Sequence, residues 1–166
     1  MRKLATFLLL LLAGCAEYHA FGLKPGSATQ AEVERAMGQP AQRWANPDGS
    51  AQWAYVSGPA GYRSYMLRLD KGGTLQSIEV VTREESFARI TPGMNQDQVL
   101  RTLGPPQPSW TTRFAARNEL VWEWRYCDAW GFAARFDVMM DADSGLVRST
   151  DHRREMCGHV DCWCGH

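Results

Sequence analysis

The sequence has little excess charge of either sign and no long hydrophobic run. Its 18 basic residues balance 18 acidic ones, which argues against nucleic-acid binding because phosphate contacts need a concentrated positive field. It offers no polybasic segment for lipid headgroups. The apolar run at residues 4–12 covers only nine residues and is too short to cross a bilayer as a helix. These properties exclude a nucleic-acid partner and a spanning helix in this run.

Sequence patterns for catalysis are also missing. The chain contains no Gly-x-Ser-x-Gly, no phosphate loop and no HExxH. Its histidines stand near the start of the chain, near the end of the last predicted strand and in the tail: His19, His152, His159 and His166. The acidic pairs at 84–85 and at 141 and 143 suit a helix start and a hairpin turn better than a glycosidase pair. The sequence therefore predicts a protein that is not an enzyme and that needs no cofactor.

The N-terminus has the order of a secretory signal. Arg2 and Lys3 precede the apolar run, and the small residues Ala13 and Gly14 precede Cys15. Leu-Ala-Gly-Cys resembles a bacterial lipobox, which implies cleavage after residue 14 and lipid attachment at Cys15, with the acyl chains buried in a membrane. Lipoproteins of this kind stay in the inner membrane when Asp follows the cysteine. Because Ala16 follows here, the resemblance implies the periplasmic face of the outer membrane; the alternative is an ordinary cleaved signal with an unrelated cysteine.

Four further cysteines lie near the C-terminus, namely Cys127, Cys157, Cys162 and Cys164. An even number in an exported chain favours disulfides, and sequence alone leaves three pairings open. Since Cys127 lies at the turn that opens the next predicted strand, a bridge from it to a tail cysteine would fasten the C-terminus to the sheet. Zinc or copper bound with the tail histidines is an alternative, although the Cys-x₄-Cys-x-Cys spacing differs from that of structural zinc sites. Free reactive thiols are a third.

The chain also contains an internal repeat. Pro25-Gly26 aligns with Pro92-Gly93, and the segment 29–33 aligns with 95–99. Gly38-Gln39-Pro40 aligns with Gly104-Pro105-Pro106, and Trp53-Ala54-Tyr55 aligns with Trp124-Arg125-Tyr126 at a separation of 71 residues. The same separation relates Asp70 to Asp141.

Each copy predicts a short helix followed by antiparallel strands. Thr29 with Glu32, and Asn95 with Gln98, form capping boxes, and a glycine followed by proline ends each helix. Period-two alternation with turns at 46–49, 71–73 and 143–145 predicts strands. We therefore expect an α+β fold of two tandem units, each with one or two short helices on a three- to four-stranded antiparallel sheet. The predicted segments are a signal peptide (1–14), a lipidated linker (15–22), two units (23–82 and 83–151, the second opening with a helix at 83–90) and a Cys/His-rich tail (152–166).

Together, the lipobox, the Pro-Gly helix ending in Gly-x-Pro and the Trp-x-Tyr strand resemble the SmpA/OmlA (BamE-like) outer-membrane lipoproteins. The resemblance covers most of residues 23–150 and is closest from Ile90 to Pro106. It implies a non-enzymatic scaffold in outer-membrane protein assembly or envelope integrity, with barrel-assembly subunits as partners. Two copies, however, are also found in the secreted β-lactamase inhibitor proteins, which implies as an alternative an inhibitor or sensor that clamps a periplasmic enzyme. Metal handling through the tail is a second alternative.

Aromatic residues offer the remaining candidate surface. Alternation on strands predicts that most of them fill cores: Trp53, Tyr55, Trp122, Trp124 and Tyr126. Trp44, Trp110 and Trp130 stand near turns or strand ends and are the predicted interaction surface, since tryptophan is enriched in binding hot spots.

Overall fold

The computed structural model describes residues 22–58 and 61–165. The predicted signal peptide and Cys15 lie outside these residues. Within them the fold is α+β, as predicted, and its sheets are antiparallel. The α-helices are α1 (Gln30–Met37), α2 (Glu84–Phe87) and α3 (Gln96–Leu103), and two short 3₁₀ helices span Pro108–Trp110 and Ala115–Arg117. The strands are β1 (Gln42–Ala45), β2 (Ala51–Val56), β3 (Ser64–Leu69), β4 (Leu75–Val80), β5 (Thr112–Phe114), β6 (Glu119–Cys127), β7 (Ala133–Asp141), β8 (Val147–Arg154), β9 (Met156–Cys157) and β10 (Val160–Asp161).

Two four-stranded meanders make up most of the molecule. The first sheet has the order β1-β2-β3-β4 and the second the order β5-β6-β7-β8, while β9 and β10 form a small hairpin. The predicted turns at 46–49, 71–73 and 143–145 all connect hairpin strands. β8 runs to Arg154 and so continues three residues past the predicted end of the second unit.

Both eight-residue helices begin and end as predicted. Thr29 and Glu32 exchange capping-box bonds, with the Thr29 N–H donating to Glu32 Oε2 at 2.8 Å and the Glu32 N–H to Thr29 Oγ1 at 3.3 Å. Asn95 and Gln98 form the same pair at 2.8 and 3.0 Å. The helices stop at glycines 38 and 104, whose φ angles of 78° and 72° favour a residue without a Cβ.

The repeat extends to individual backbone bonds. The Gly26 N–H donates to the Leu75 carbonyl at 2.7 Å, and the Gly93 N–H donates to the Val147 carbonyl at 2.8 Å. Leu75 and Val147 are the first residues of β4 and β8. The two copies therefore place their helices against the last strand through the same contact.

One predicted alignment within the repeat is wrong by two residues. Trp53 lies opposite Leu67, and Trp122 lies opposite Val138. Since Leu67 and Val138 each stand three residues before the equivalent aspartates at the next turn, Trp53 corresponds to Trp122 rather than to Trp124. The cause is a hairpin of β6 and β7 that is two residues longer, since Val138 follows Trp122 by 16 positions whereas Leu67 follows Trp53 by 14.

Hydrogen bonds to the helix ends agree with the corrected alignment. Tyr55 Oη donates to the carbonyl of Gly38 at 3.1 Å, and Trp124 Nε1 donates to the carbonyl of Gly104 at 3.3 Å. Tyr55 and Trp124 are equivalent when the alignment is shifted by two residues, so different donors satisfy the same free carbonyl. Burial raises the pKa of Tyr55 to about 12, which keeps this donor protonated.

The layers follow the order α1, first sheet, α3, second sheet. One face of the first sheet packs with Val33 of α1, and its opposite face packs with Leu100 of α3. Val99 and Leu103 of α3 are fully buried in the core of the second sheet. In each sheet we call the face that lies away from the sheet's own preceding helix, α1 or α3, the outer face.

Trp44 is not part of an exposed surface, so that prediction is wrong. Its side chain is buried on the outer face of the first sheet with Ala54, Met66 and Val81. The guanidinium of Arg101, from α3, lies 5.6 Å from the centre of its ring. Docking of α3 covers a strand end that would otherwise be open.

Candidate functional site

The other two predicted surface tryptophans differ in exposure. Trp130 is 76% exposed, at the turn between β6 and β7. Trp110 is half-buried, with the Arg135 guanidinium 4.3 Å from the centre of its ring. Trp130 is therefore the more accessible of the two, and its surroundings define the first candidate surface.

The turn that carries Trp130 is fixed by Asp128. Its Oδ1 accepts hydrogen bonds from the N–H groups of Trp130 and Phe132, both at 2.9 Å, and Arg154 Nε donates to its Oδ2 at 2.8 Å. Burial opposes ionisation of this carboxyl group, but these bonds outweigh it and lower its pKa. The indole of Trp130 thus projects from a rigid turn.

Two disulfides fasten the tail to this turn, which confirms the prediction of disulfides. Cys127 is bonded to Cys164, with their Cα atoms 5.8 Å apart, and Cys157 is bonded to Cys162 across 5.0 Å. The first is a bridge from Cys127 to the tail. Because the four sulfur atoms are joined in two disulfides, none is available as a thiolate ligand. The described residues contain no group of three or more His, Cys, Asp or Glu that could hold a metal ion.

Trp163 packs on the same turn. Gly131 has a φ of 83°, and a Cβ placed on it would lie 2.7 Å from the Trp163 ring. The ring meets Phe132 edge-on, with centroids 5.5 Å apart, yet it remains 63% exposed. The tail therefore holds one face of this indole against the turn and leaves much of the rest open to solvent.

Two exposed tryptophans lie on this turn, and we call them the tail surface: Trp130 and Trp163. Met156 and Val160 are also exposed, but the β9–β10 register places them on opposite faces of that hairpin. Sequence reasoning identified Trp130 and missed Trp163. The cysteine spacing of the tail indicates metal or disulfide chemistry and does not by itself predict an apolar surface. Trp163, between two cysteines, was the available signal.

Another candidate surface is the outer face of the second sheet, which carries a network of charges that was not predicted from the sequence. Glu123 contacts both Arg135 and Arg153, and Arg153 Nε also donates to Asp137 Oδ2 at 2.9 Å. Glu155 accepts from Arg125 Nη2 at 2.6 Å and from Arg135 Nε at 2.8 Å. Alternating acidic and basic residues in β6 and β7 were the signal that could have found it.

The two glutamates of this network have opposite pKa shifts. Burial, together with the neighbouring Asp137 carboxylate, raises the pKa of Glu123, although Arg135 and Arg153 oppose this. Burial also opposes ionisation of Glu155, but hydrogen bonds from Arg125 and Arg135 outweigh it and lower the pKa. A cavity of about 290 Å³ adjoins Glu123 and is bounded by Trp110 and Phe114.

A third polar cluster fastens α2 to the second sheet. Tyr126 Oη donates to Glu84 Oε1 at 3.1 Å and lies 2.9 Å from Nδ1 of His152. Burial and the Glu84 charge raise the pKa of the Tyr126 phenol. The phenol therefore remains protonated and serves as a hydrogen-bond donor. The cluster positions α2, whose Phe87 ring stacks on Phe136 with centroids 4.2 Å apart.

A cleft of about 700 Å³ separates the connection after β2 from the tail. Tyr62 and Arg63 line one side, and Asp128 with the Cys127–Cys164 bridge lines the other. The Arg125 guanidinium lies 4.3 Å from the centre of the Tyr62 ring, so the connection also contacts the charged face.

Comparisons do not assign this arrangement to a known family. No family model matches the chain, and neither a curated protein nor a solved structure matches it. None of the helices in residues 22–58 and 61–165 is long and apolar enough to cross a membrane.

Proposed function

We propose that this protein is a non-enzymatic lipoprotein of the outer membrane, anchored through Cys15, that binds a periplasmic protein partner as a scaffold. The observation that supports binding best is the tail surface, where Trp130 and Trp163 are 76% and 63% exposed on one disulfide-fastened turn. Exposed apolar side chains that are grouped in this way are typical of interaction sites.

Rigidity favours this surface as the binding element. Trp130 projects from a turn held by Asp128, and Trp163 rests on Gly131 beside the Cys127–Cys164 bridge. Side chains that are ordered before binding lose less conformational entropy when a partner docks. Tryptophans in fixed positions are therefore well suited to act as binding anchors.

The resemblance to the SmpA/OmlA lipoproteins supplies the finer part of the proposal. Two BamE-like units in tandem would make the partner a subunit of the barrel-assembly machinery, and the process outer-membrane protein assembly or envelope integrity. The two four-stranded meanders with capped helices are consistent with such an arrangement.

A crosslinked pull-down from membranes tests the proposal. The intact lipidated protein would be compared with a Trp130→Ala/Trp163→Ala variant, with Cys15→Ala as the control for membrane attachment. We expect the double variant to recover barrel-assembly subunits at least about tenfold less well, since a lost hot-spot tryptophan costs about 2 kcal/mol.

Phe114→Ala provides the matched control, because Phe114 is also an exposed aromatic residue, 40% accessible, but lies on β5 away from the tail. Its recovery should equal that of the unmodified protein. Recovery of a soluble cell-wall enzyme instead of barrel-assembly subunits would contradict the scaffold and favour an enzyme clamp. Equal recovery by the double variant and by Phe114→Ala would exclude the tail surface as the site.

A further inference from the structure

Two acidic side chains face each other in the middle of the second sheet. Glu123 of β6 and Asp137 of β7 are directly opposed in the strand register. Both are buried on the outer face, with exposures of 4% and 8%, and both carboxyl groups contact the guanidinium of Arg153, which brings them close together. Two carboxylates so close together repel each other strongly when both are ionised.

One oxygen of this pair lacks a hydrogen-bond donor. Asp137 Oδ2 accepts from Arg153 Nε, whereas Asp137 Oδ1 is buried without a hydrogen-bond partner in the described part of the chain. A buried acceptor without a donor is costly, and such atoms are rare in folded proteins. The Glu123 carboxyl group is the neighbour that could supply a donor, provided that it carries a proton.

The charged groups around the pair include more acidic than basic groups, which favours binding of a proton. β6 contributes Arg125, β7 contributes Arg135, and β8 contributes Asp151 and Arg153, with Glu155 directly after it. With Glu123 and Asp137 these make four carboxyl groups against three guanidinium groups. At the far end of the cavity, Arg117 and Glu119 pair with each other at 2.7 Å, so their charges compensate each other.

We propose that Glu123 and Asp137 share one proton and retain it to a higher pH than an isolated glutamate would, with the Glu123 carboxyl group donating to Asp137 Oδ1. The proton comes from solvent and satisfies the unpaired oxygen, and it removes the repulsion between the two acids. The outer face of the second sheet is thus a proton-binding site. The raised pKa of Glu123, caused mainly by burial, supports the same assignment.

This assignment fixes the sign of a pH effect. A carboxyl group whose pKa is higher in the folded than in the unfolded chain contributes stability at low pH, and that contribution disappears as the pH rises through the folded-state pKa. Glu155 has the opposite shift, so its contribution is present at neutral pH and disappears as the pH falls. Two glutamates bound to the same Arg135 therefore respond to pH in opposite directions.

Carboxyl ¹³C NMR titration of the folded chain tests the proposal directly and needs no variant. We expect Glu123 to titrate clearly above the ordinary range for glutamate of about 4.3, and Glu155 below it. A Glu123 signal that titrates at or below the ordinary value would overturn the shared proton.

Thermal unfolding of two matched variants provides a second test. Glu123→Gln mimics the protonated acid, since its amide can donate to Asp137. Its Tm relative to the unmodified protein should rise by several degrees between about pH 5 and about pH 9. Glu155→Gln should instead become less stable than the unmodified protein as the pH rises through the acid range. If the difference in Tm between Glu123→Gln and the unmodified protein is constant with pH, or changes in the same direction as that of Glu155→Gln, the proposal is contradicted.

Discussion

The two four-stranded sheets share their strand order and their turns, yet their outer faces have opposite chemistry. In the first sheet, Ala54, Met66 and Val81 form an apolar patch. The corrected alignment places Glu123, Asp137 and Arg153 at the equivalent positions of the second sheet. The same backbone thus carries a packed interface on one copy and an ion network on the other.

The difference follows from what lies on each face. Leu100 of α3 packs on the patch of the first sheet, and Gln52 Nε2 donates to the carbonyl of Arg101 at 2.6 Å. No α-helix of the described residues packs on the equivalent face of the second sheet, where the rings of Trp110, from a 3₁₀ helix, and Tyr62 cover two of the arginines. An open sheet face needs polar side chains, and repeat proteins end in a polar copy for this reason. The charged face therefore ends the stack of layers at the second sheet.

Exchanging one residue between the faces gives the largest expected effect. Met66→Asp places in the first sheet the residue found at the equivalent position of the second. The Met66 side chain is fully buried and lies opposite Glu79 in the strand register, so the variant loses its packing and buries a charge next to another acidic residue. We expect the free energy of unfolding to fall by more than about 5 kcal/mol, as measured by urea denaturation.

Met66→Leu is the matched control, because it retains an apolar side chain of similar volume, and it should cost less than about 1.5 kcal/mol. If Met66→Asp folded with near-normal stability, the outer face of the first sheet would not be a closed interface. The contrast between the two faces would then be lost.

The fastened tail is a second difference, since the disulfides are confined to the second sheet and its extension. Replacing Cys127 and Cys164 by serine opens a link between residues 37 positions apart. The loss expected from loop closure is about 4 kcal/mol, against about 2 kcal/mol for the bridge from Cys157 to Cys162, which spans 5 positions. Denaturation curves of the two double variants check this order, and an equal or reversed loss would show that loop length does not govern the tail.

Helix starts and turns were predicted from the sequence because each is determined by residues only a few positions apart. A threonine three residues before a glutamate, as in Thr29 and Glu32, specifies a helix start without reference to the rest of the chain. The aspartates that open the last hairpins are similar: Asp70 Oδ1 and Asp141 Oδ1 each accept two N–H groups of the turn. These bonds with Ser144 and Asp143, and the contact with Arg148, hold the pKa of Asp141 at about 2.

Features that depend on the packing of distant segments were not predicted. The burial of Trp44 requires α3, more than 50 residues later, to dock on the first sheet. The alignment of Trp53 with Trp122 depends on the length of the whole hairpin, strands included, which composition does not reveal. The opposition of Glu123 and Asp137 needs the same register, so the acid pair could not be recognised before the hairpin was known.

The helix caps give the smallest expected effect and the finest test of the comparison. Thr29→Ala and Asn95→Ala each remove one side-chain acceptor from a helix start, and each should cost about 1 kcal/mol. The two variants should destabilise different parts of the molecule, because α1 packs on one sheet whereas α3 lies between both sheets. Amide hydrogen exchange should therefore speed up in the first sheet alone for Thr29→Ala, and in both sheets for Asn95→Ala. If exchange in Asn95→Ala were faster in the second sheet alone, the contact of Leu100 with the first sheet would not couple the two layers. Each sheet would then be stabilised by its own preceding helix.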